Sequence, residues 1–226
     1  MYKDMRVSAI IAGAGASVRM GAGISKQLLK IGGKTVIEHT VQKFEECGYI
    51  DEIIIVCPQK EKAVFEEMFP NYTVTEGGAT RQQSVYNGVC VTSADCSLLV
   101  IHDGARPLVS VKEICLVIED AEKYGASTLA VPVKDTIKIV EDSTVIDTPP
   151  REKLFAVQTP QVFFKDKYVQ AYNTALQNKQ EFTDDCRLLE SIGESVHITL
   201  GSYVNIKITT PEDIVIAESL SSGKES

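Results

Sequence analysis

Tryptophan is absent from the 226 residues, aromatics make up only 7%, and histidine occurs three times. The histidines, at 39, 102 and 197, are isolated and do not make a metal cluster. Cysteine occurs six times, at 47, 57, 90, 96, 115 and 186, but no pair has the C-x-x-C spacing of a zinc or redox motif. Several lie inside apolar runs, so buried free thiols in a reducing compartment are expected. No apolar run approaches the roughly 20 residues of a membrane-spanning helix; Ile53-Ile54-Ile55-Val56-Cys57 is among the longest. The N-terminal stretch Met1-Tyr2-Lys3-Asp4-Met5-Arg6 has no apolar signal core and no small-residue cleavage site, so a cytoplasmic protein without membrane attachment is expected. Basic residues are in the minority: 23 Lys and Arg against 31 Asp and Glu give a formal charge of −8. That balance excludes a nucleic-acid binder held by a broad basic face. It leaves room for a few cations gathered around a phosphate in one cleft.

What is present has the composition of an ordinary globular chain, 44% hydrophobic and 24% charged. Strand and helix patterns alternate. Val7–Ala12 is a continuous apolar run, as expected of a strand buried on both faces. Thr35-Val36-Ile37-Glu38 and Ser110-Val111-Lys112-Glu113 read as capping boxes that open helices. Further strands are expected at Glu52–Cys57, Thr73–Thr75, Ser97–His102, Val196–Leu200 and Asn205–Ile208, and further helices near Val64–Phe69, Gln82–Val91, Lys167–Gln177 and Asp184–Ile192. Thr210-Pro211-Glu212-Asp213 opens a last helix, with Pro in the first turn and acids favoured by the helix dipole. Residues 134–155 break the rhythm: β-like sequence, the turn Glu141-Asp142-Ser143, then a return with two prolines. The expected architecture is one α/β domain over 1–226 with an inserted β-arm at 134–155.

The loop after the first strand, Gly13-Ala14-Gly15-Ala16-Ser17-Val18-Arg19-Met20-Gly21, has small residues that let backbone amides approach a phosphate chain. Two familiar phosphate motifs fail. A dinucleotide fingerprint needs a third glycine where Val18 stands, and an acid at the end of the second strand, which reads Val56-Cys57-Pro58. A Walker loop ending at Gly33-Lys34-Thr35 needs its first glycine where Leu28 stands. What remains distinctive is a pair of cations in one loop, Arg19 and Lys26, suited to a triphosphate and to the charge that grows on it during transfer.

The ordered set Arg19-Met20-Gly21 with Lys26-Gln27, Gly77-Gly78 with Arg81 and Ser84-Val85, and His102-Asp103-Gly104-Ala105-Arg106-Pro107 resembles the cytidylyltransferases that act on 2-C-methyl-D-erythritol 4-phosphate. The likeness continues through Pro132–Lys138, Gln158-Thr159-Pro160-Gln161, Thr183-Asp184-Asp185 and Asn205–Asp213, and so spans about residues 7–217. Each motif is weak alone; together they are specific. The resemblance implies a three-layer α/β/α Rossmann-like nucleotidyltransferase fold with a mostly parallel twisted sheet. It also implies a Mg²⁺-dependent reaction with CTP in isoprenoid precursor synthesis, and a homodimer built by exchanging arms.

Carried over position by position, the resemblance makes Arg19 and Lys26 the residues that stabilise the transition state. Gly13, Ala14 and Gly15 form the nucleotide loop, Gly78, Ala79 and Ser84 the cytidine segment, and Gly104 and Arg106 further CTP contacts. Asp103 becomes the metal-binding acid and an acceptor contact. Lys207, Thr159 and Thr183 would hold the polyol phosphate, while Thr136 and Arg151 on the arm would reach the partner subunit's site, with Arg151 and Lys207 acting in catalysis. Arg106 is left with two partners, Asp103 or the nucleotide. The chain departs from the family where Ser17 stands for a common glycine, where Ser25 stands for a common proline, and in Asp147-Thr148-Pro149-Pro150-Arg151, which loosens the register at Arg151. The rival readings are a ribitol-5-phosphate cytidylyltransferase, a uridylyl- or guanylyltransferase, and a non-catalytic nucleotide sensor. The last would be expected to have lost one of Arg19, Lys26, Asp103 or Lys207, and all four are present.

Overall fold

The computed structural model describes residues 1–15 and 25–222. In chain order its elements begin with β1 (Arg6–Ala12), a small hairpin of β2 (Lys30–Ile31) and β3 (Lys34–Thr35), α1 (Val36–Glu45), β4 (Glu52–Cys57) and α2 (Lys62–Met68). Next come β5 (Thr73–Glu76), α3 (Arg81–Cys90), β6 (Cys96–Asp103), α4 (Val111–Tyr124) and β7 (Ala126–Pro132). The chain continues with β8 (Ile139–Glu141), β9 (Thr144–Asp147), β10 (Phe155–Phe164), α5 (Lys165–Gln177), α6 (Asp185–Glu190), β11 (His197–Leu200) and α7 (Pro211–Ser222).

Seven strands form one sheet in the order β11-β7-β10-β6-β1-β4-β5. Every neighbouring pair is parallel except those made by β10, which runs against both β6 and β7. Side chains alternate across a strand, so the apolar run of β1 serves two cores at once. Val7, Ala9 and Ile11 pack on one face with Val41 and Phe44 of α1 and Ile114 and Val117 of α4. Ile10 faces the other way, toward Val85 and Val89 of α3 and Tyr168 and Ala171 of α5. Each buried Val, Ile or Phe side chain among these is worth about 1.5–3 kcal/mol of transfer free energy. Three layers result, as expected from the resemblance.

The helix starts follow the capping boxes. Thr35 and Ser110 each accept from the third helical amide, at 3.3 and 3.2 Å, while Glu38 and Glu113 reach back to the cap amides at 2.6 and 2.9 Å. Gly125 ends α4 with φ +93°, a backbone setting that favours glycine. At α7 it is the Asp213 carboxylate that accepts from the Thr209 and Thr210 amides, at 2.7 and 2.8 Å.

The topology locates a crevice. From β1 the chain passes to β4 and β5 on one side, then returns to β6 on the other side of β1. The carboxyl ends of β1 and β6 therefore flank the point where the winding direction reverses, the position favoured for ligands in open α/β sheets.

Four features differ from the sequence expectations. The ten-residue strand β10 was not expected, because Pro160 argues against a strand interior. It is accommodated where the pairing with β7 shifts between Val157 and Gln161. No strand forms over Asn205–Ile208: only Ile208 N bonds across, to Ala105 O at 2.8 Å, and fully buried Asn205 is held by its side chain instead. The two-residue strands β2 and β3 were too short to be legible. Of the six free thiols, Cys90 is exposed rather than buried, because it closes α3 on the solvent side.

Residues 133–154 leave the sheet. β8 and β9 pair only with each other, through a turn in which Asp142 and Ser143 both have positive φ, the setting of a tight two-residue hairpin. Every residue of both strands is exposed.

Candidate active site

Ala12 and Asp103 are register partners at the ends of β1 and β6. Gly13 N donates to Val56 O at 2.7 Å and Gly104 N to Ala12 O at 2.9 Å, so three strand ends are tied together beneath the first loop. Above them lies a cleft of about 410 Å³. Ala14, Gly15, Lys26 and Gln27 line one wall, Gly78 through Arg81 with Ser84 a second, and Asp103, Ala105 and Lys207 the floor and far side.

Asp103 is the electrostatic centre. Its Oδ2 lies 2.8 Å from Lys207 Nζ and 3.4 Å from Arg106 Nε, and its Oδ1 lies 3.8 Å from Arg81 Nε. Burial alone would raise this carboxyl, but the charges of Lys207, Arg81 and Arg106 outweigh it and hold the group well below the usual carboxylate range. Arg106 pairs with Asp103, and its Nη1 donates to Asn205 O at 2.8 Å. Lys26, Arg81 and Lys207 line the cleft, with Arg106 beside it on Asp103, in a chain of net charge −8. Such a site attracts anions.

A hydrogen-bonded chain orients Asp103 from below. His102 Nε2 lies 3.1 Å from Arg106 O, which can only accept, so the imidazole proton sits on Nε2. Nδ1 then accepts from the Thr159 hydroxyl at 3.0 Å, and the Thr159 oxygen accepts from Asp103 N at 3.0 Å. Burial pushes the His102 pKa down to about 4, against the raising effect of its bond to the Arg106 carbonyl, so the ring is neutral at pH 7. Asn205 Nδ2 completes the support by donating to Thr159 O at 2.9 Å.

The second wall is the turn before α3. Thr80 caps the helix and accepts from Gln83 N at 3.2 Å. Ser84 Oγ accepts from Gly78 N at 3.0 Å, and Gln83 Oε1 accepts from Ala79 N at 2.9 Å. Gly77 lets this turn approach the first loop. A Cβ there would overlap that of Ala14 and stand 2.9 Å from Ser84 Oγ.

Arg81 ties the second wall to the floor of the cleft. Its Nη1 is 2.7 Å from Asp185 Oδ2 while its Nε faces Asp103. Burial would lower the guanidinium pKa, but Asp185 and Asp103 outweigh it and raise the group, which stays charged.

Of the residues singled out from the sequence, Ala14, Gly15, Lys26, Gly78, Ala79, Ser84, Asp103 and Lys207 line this one cleft. Gly13, Gly104, Arg106 and Thr159 lie directly beneath or beside them. Thr136, Arg151 and Thr183 are exposed and do not line it. Arg151 donates to Lys134 O at 2.9 Å, at the root of the arm. Arg19 and Ser17 lie outside the described residues. Sequence reasoning did not single out Arg81, although it stands in the Gly77–Val85 motif; its partner Asp185 is far along the chain, and only the fold unites them.

Among the described residues no group of three or more His, Cys, Asp or Glu could hold a metal ion. A closed protein cage is thus not formed there. One carboxylate facing a cleft lined by cations would suit Mg²⁺, which takes one or two carboxylates and fills its shell with phosphate oxygens and water. Asp103 Oδ1, too far from Arg81 Nε for a hydrogen bond, is the oxygen that fits.

Known proteins share this architecture. Residues 7–222 match the IspD family, described as 2-C-methyl-D-erythritol 4-phosphate cytidylyltransferase. The enzyme of that name from Caldanaerobacter subterraneus is 46% identical over 95% of this chain and 98% of its own length. Its namesake from Bacillus cereus is 47% identical over 93% of this chain and 95% of its own. A crystal structure of 4-diphosphocytidyl-2C-methyl-D-erythritol synthase from Anaerococcus prevotii superposes with a TM-score of 0.87 at 32% identity, over 96% of each chain. That of the Thermus thermophilus cytidylyltransferase gives 0.82 at 33%, over 96% of this chain and all of the other.

Proposed function

The chain belongs to the 2-C-methyl-D-erythritol 4-phosphate cytidylyltransferase family, and from the geometry of its cleft we propose how it transfers a cytidylyl group from CTP to that acceptor. The products are 4-diphosphocytidyl-2-C-methyl-D-erythritol and pyrophosphate. The observation that carries the reading is the convergence of Lys26, Arg81, Arg106 and Lys207 on one crevice of an acidic chain.

Both reactants are anions, so repulsion is the main barrier to their meeting. An acceptor phosphate oxygen attacks the α-phosphorus of CTP in line. The new O–P bond forms as the bond to the bridging β-phosphate oxygen breaks, and pyrophosphate carries the electron pair away. Lys26 lines the cleft and offsets the charge that builds on the triphosphate, a task the family resemblance also gives to Arg19. The small residues of the first loop and of the Gly78–Ala79 turn allow the nucleotide to lie against backbone. Lys207, anchored on Asp103, presents its ammonium to the acceptor phosphate. Asp103 would also hold Mg²⁺, which when bound neutralises phosphate oxygens of the nucleotide.

A homodimer with exchanged arms belongs to the same reading. The hairpin offers Ile139, Val140, Val145 and Ile146, each about half exposed, to solvent. A lone two-stranded ribbon with an apolar surface gains stability by packing on another body. Thr136 and Arg151 sit on that arm, away from their own chain's cleft, and so would complete the partner's. The reading also places the protein in the cytoplasm; among the described residues no helix is long and apolar enough to cross a membrane.

The test is pyrophosphate release from the purified protein with CTP, Mg²⁺ and each acceptor in turn. Turnover is expected with 2-C-methyl-D-erythritol 4-phosphate and CTP, and at least about ten-fold less with ribitol 5-phosphate or UTP. Preference for ribitol 5-phosphate would overturn the acceptor assignment.

A further inference from the structure

We propose that Arg81 is a positioning residue: held by buried Asp185, its guanidinium locks the acceptor half of the cleft to the nucleotide half. The proposal rests on the cytidylyl transfer assigned above.

Asp185 is 1% exposed and is fixed from several directions. The Tyr168 hydroxyl donates to its Oδ1 at 2.9 Å, and its own amide donates to Gln161 Oε1 at 3.2 Å. Its Oδ2 accepts no hydrogen bond among the described residues, and its charge is met by Arg81 Nη1 at 2.7 Å. From this anchor the guanidinium extends to Asp103, 3.8 Å from Nε. One planar fork therefore links the start of α3, the end of β6 and the start of α6. Arg suits such a span because its geometry is rigid and its charge permanent.

Stability alone is a poor reason to bury such a pair, because desolvating two charges offsets most of their attraction. Position is the better reason. The two halves of the cleft differ in how they are held. Gly78, Ala79 and Ser84 are fixed by bonds within their own turn, to Ser84, Gln83 and Thr80, so the nucleotide side stands without the Arg81 side chain. On the acceptor side the Asp103 amide is held by Thr159 and its carboxylate faces Arg106, and Arg81 adds a further charge contact. Asp103 anchors Lys207, and Arg81 is the side chain that reaches from Asp103 to buried Asp185 at the start of α6. Loss of the fork is expected to fall on the acceptor.

The experiment compares steady-state constants of the wild-type protein, Arg81→Lys, and Arg81→Met/Asp185→Asn. The double variant removes both charges together and keeps an oxygen for the Tyr168 hydroxyl, so it avoids the unpaired buried charge that could unfold a single variant. In both variants the KM for the acceptor is expected to rise at least about ten-fold, as for a displaced reactant contact, and at least about three-fold more than the KM for CTP. A purely structural pair would lower kcat through lost folded protein and leave that split unchanged. Wild-type constants in the folded double variant, or equal rises in both KM values, would overturn the proposal. Absence of product from the wild-type protein would instead overturn the assigned activity, and this inference with it.

Discussion

Lys207 Nζ lies 2.8 Å from Asp103 Oδ2, an ion pair between the end of a core strand and a loop laid across the sheet. Asp103 keeps Arg106 and Arg81 as neighbours when Lys207 is removed, so it stays ionised. Lys207→Gln is therefore expected to leave the fold and CTP binding near normal and to reduce kcat/KM for the acceptor at least about a hundred-fold. Steady-state kinetics with each substrate varied in turn check this.

Lys26 follows the first loop and lines the cleft opposite Lys207. Removing a donor that acts on growing transition-state charge costs about two to three orders of magnitude in turnover. Folded Lys26→Ala is expected to lose at least about two orders in kcat. Near-normal turnover would take Lys26 out of the reaction.

Gly77 lets two loops meet. In Gly77→Ala the new methyl would overlap Ala14, and such overpacking costs about 1–3 kcal/mol. Gly48→Ala is the comparison, because its methyl meets nothing within 4 Å; a change below about 0.5 kcal/mol is expected there. Denaturant unfolding of both variants distinguishes them.

His102 makes stability depend on pH. Its folded pKa, near 4, lies below the unfolded value of 6.5, so the unfolded chain binds the proton first as pH falls. Stability is thus retained above about pH 6.5 and lost progressively toward pH 4.5, by about 2–3 kcal/mol. Below that window the lowered carboxyl of Asp103 adds a loss of the same sign. Unfolding free energies measured across the window should fall in the wild type and fall distinctly less in His102→Gln.

Arg151 sits on the arm and not in its own chain's cleft. If arms are exchanged, mixing Arg151→Ala chains with Lys26→Ala chains generates some dimers in which one site has both residues. Activity above the sum of the separate variants is expected in verified heterodimers. Purely additive activity would exclude a shared site.

Much of this was legible in the chain. The alternation of short apolar runs with two capping boxes gave one α/β domain, the family resemblance gave its three layers, and the small residues beside Lys26 marked the loop. The strand through Pro160 was hidden because a proline normally disqualifies a strand interior, and only the pairing shift near Val157 makes room for it. The contacts of Arg81 and Thr159 were hidden for another reason. Each acts through a partner distant in sequence, Asp185 for the first and His102 for the second. Spacing reports periodic contacts along one element and is silent on such crossings.

The most direct test of the account follows label rather than rate. CTP carrying label on its α-phosphate, or on its γ-phosphate, is incubated with 2-C-methyl-D-erythritol 4-phosphate and Mg²⁺. The α label is expected in the cytidine diphospho-polyol and the γ label in pyrophosphate, with both transfers abolished in folded Lys26→Ala. Alpha label released as CMP, or transfer unchanged in Lys26→Ala, would contradict an attack on the α-phosphorus in this cleft.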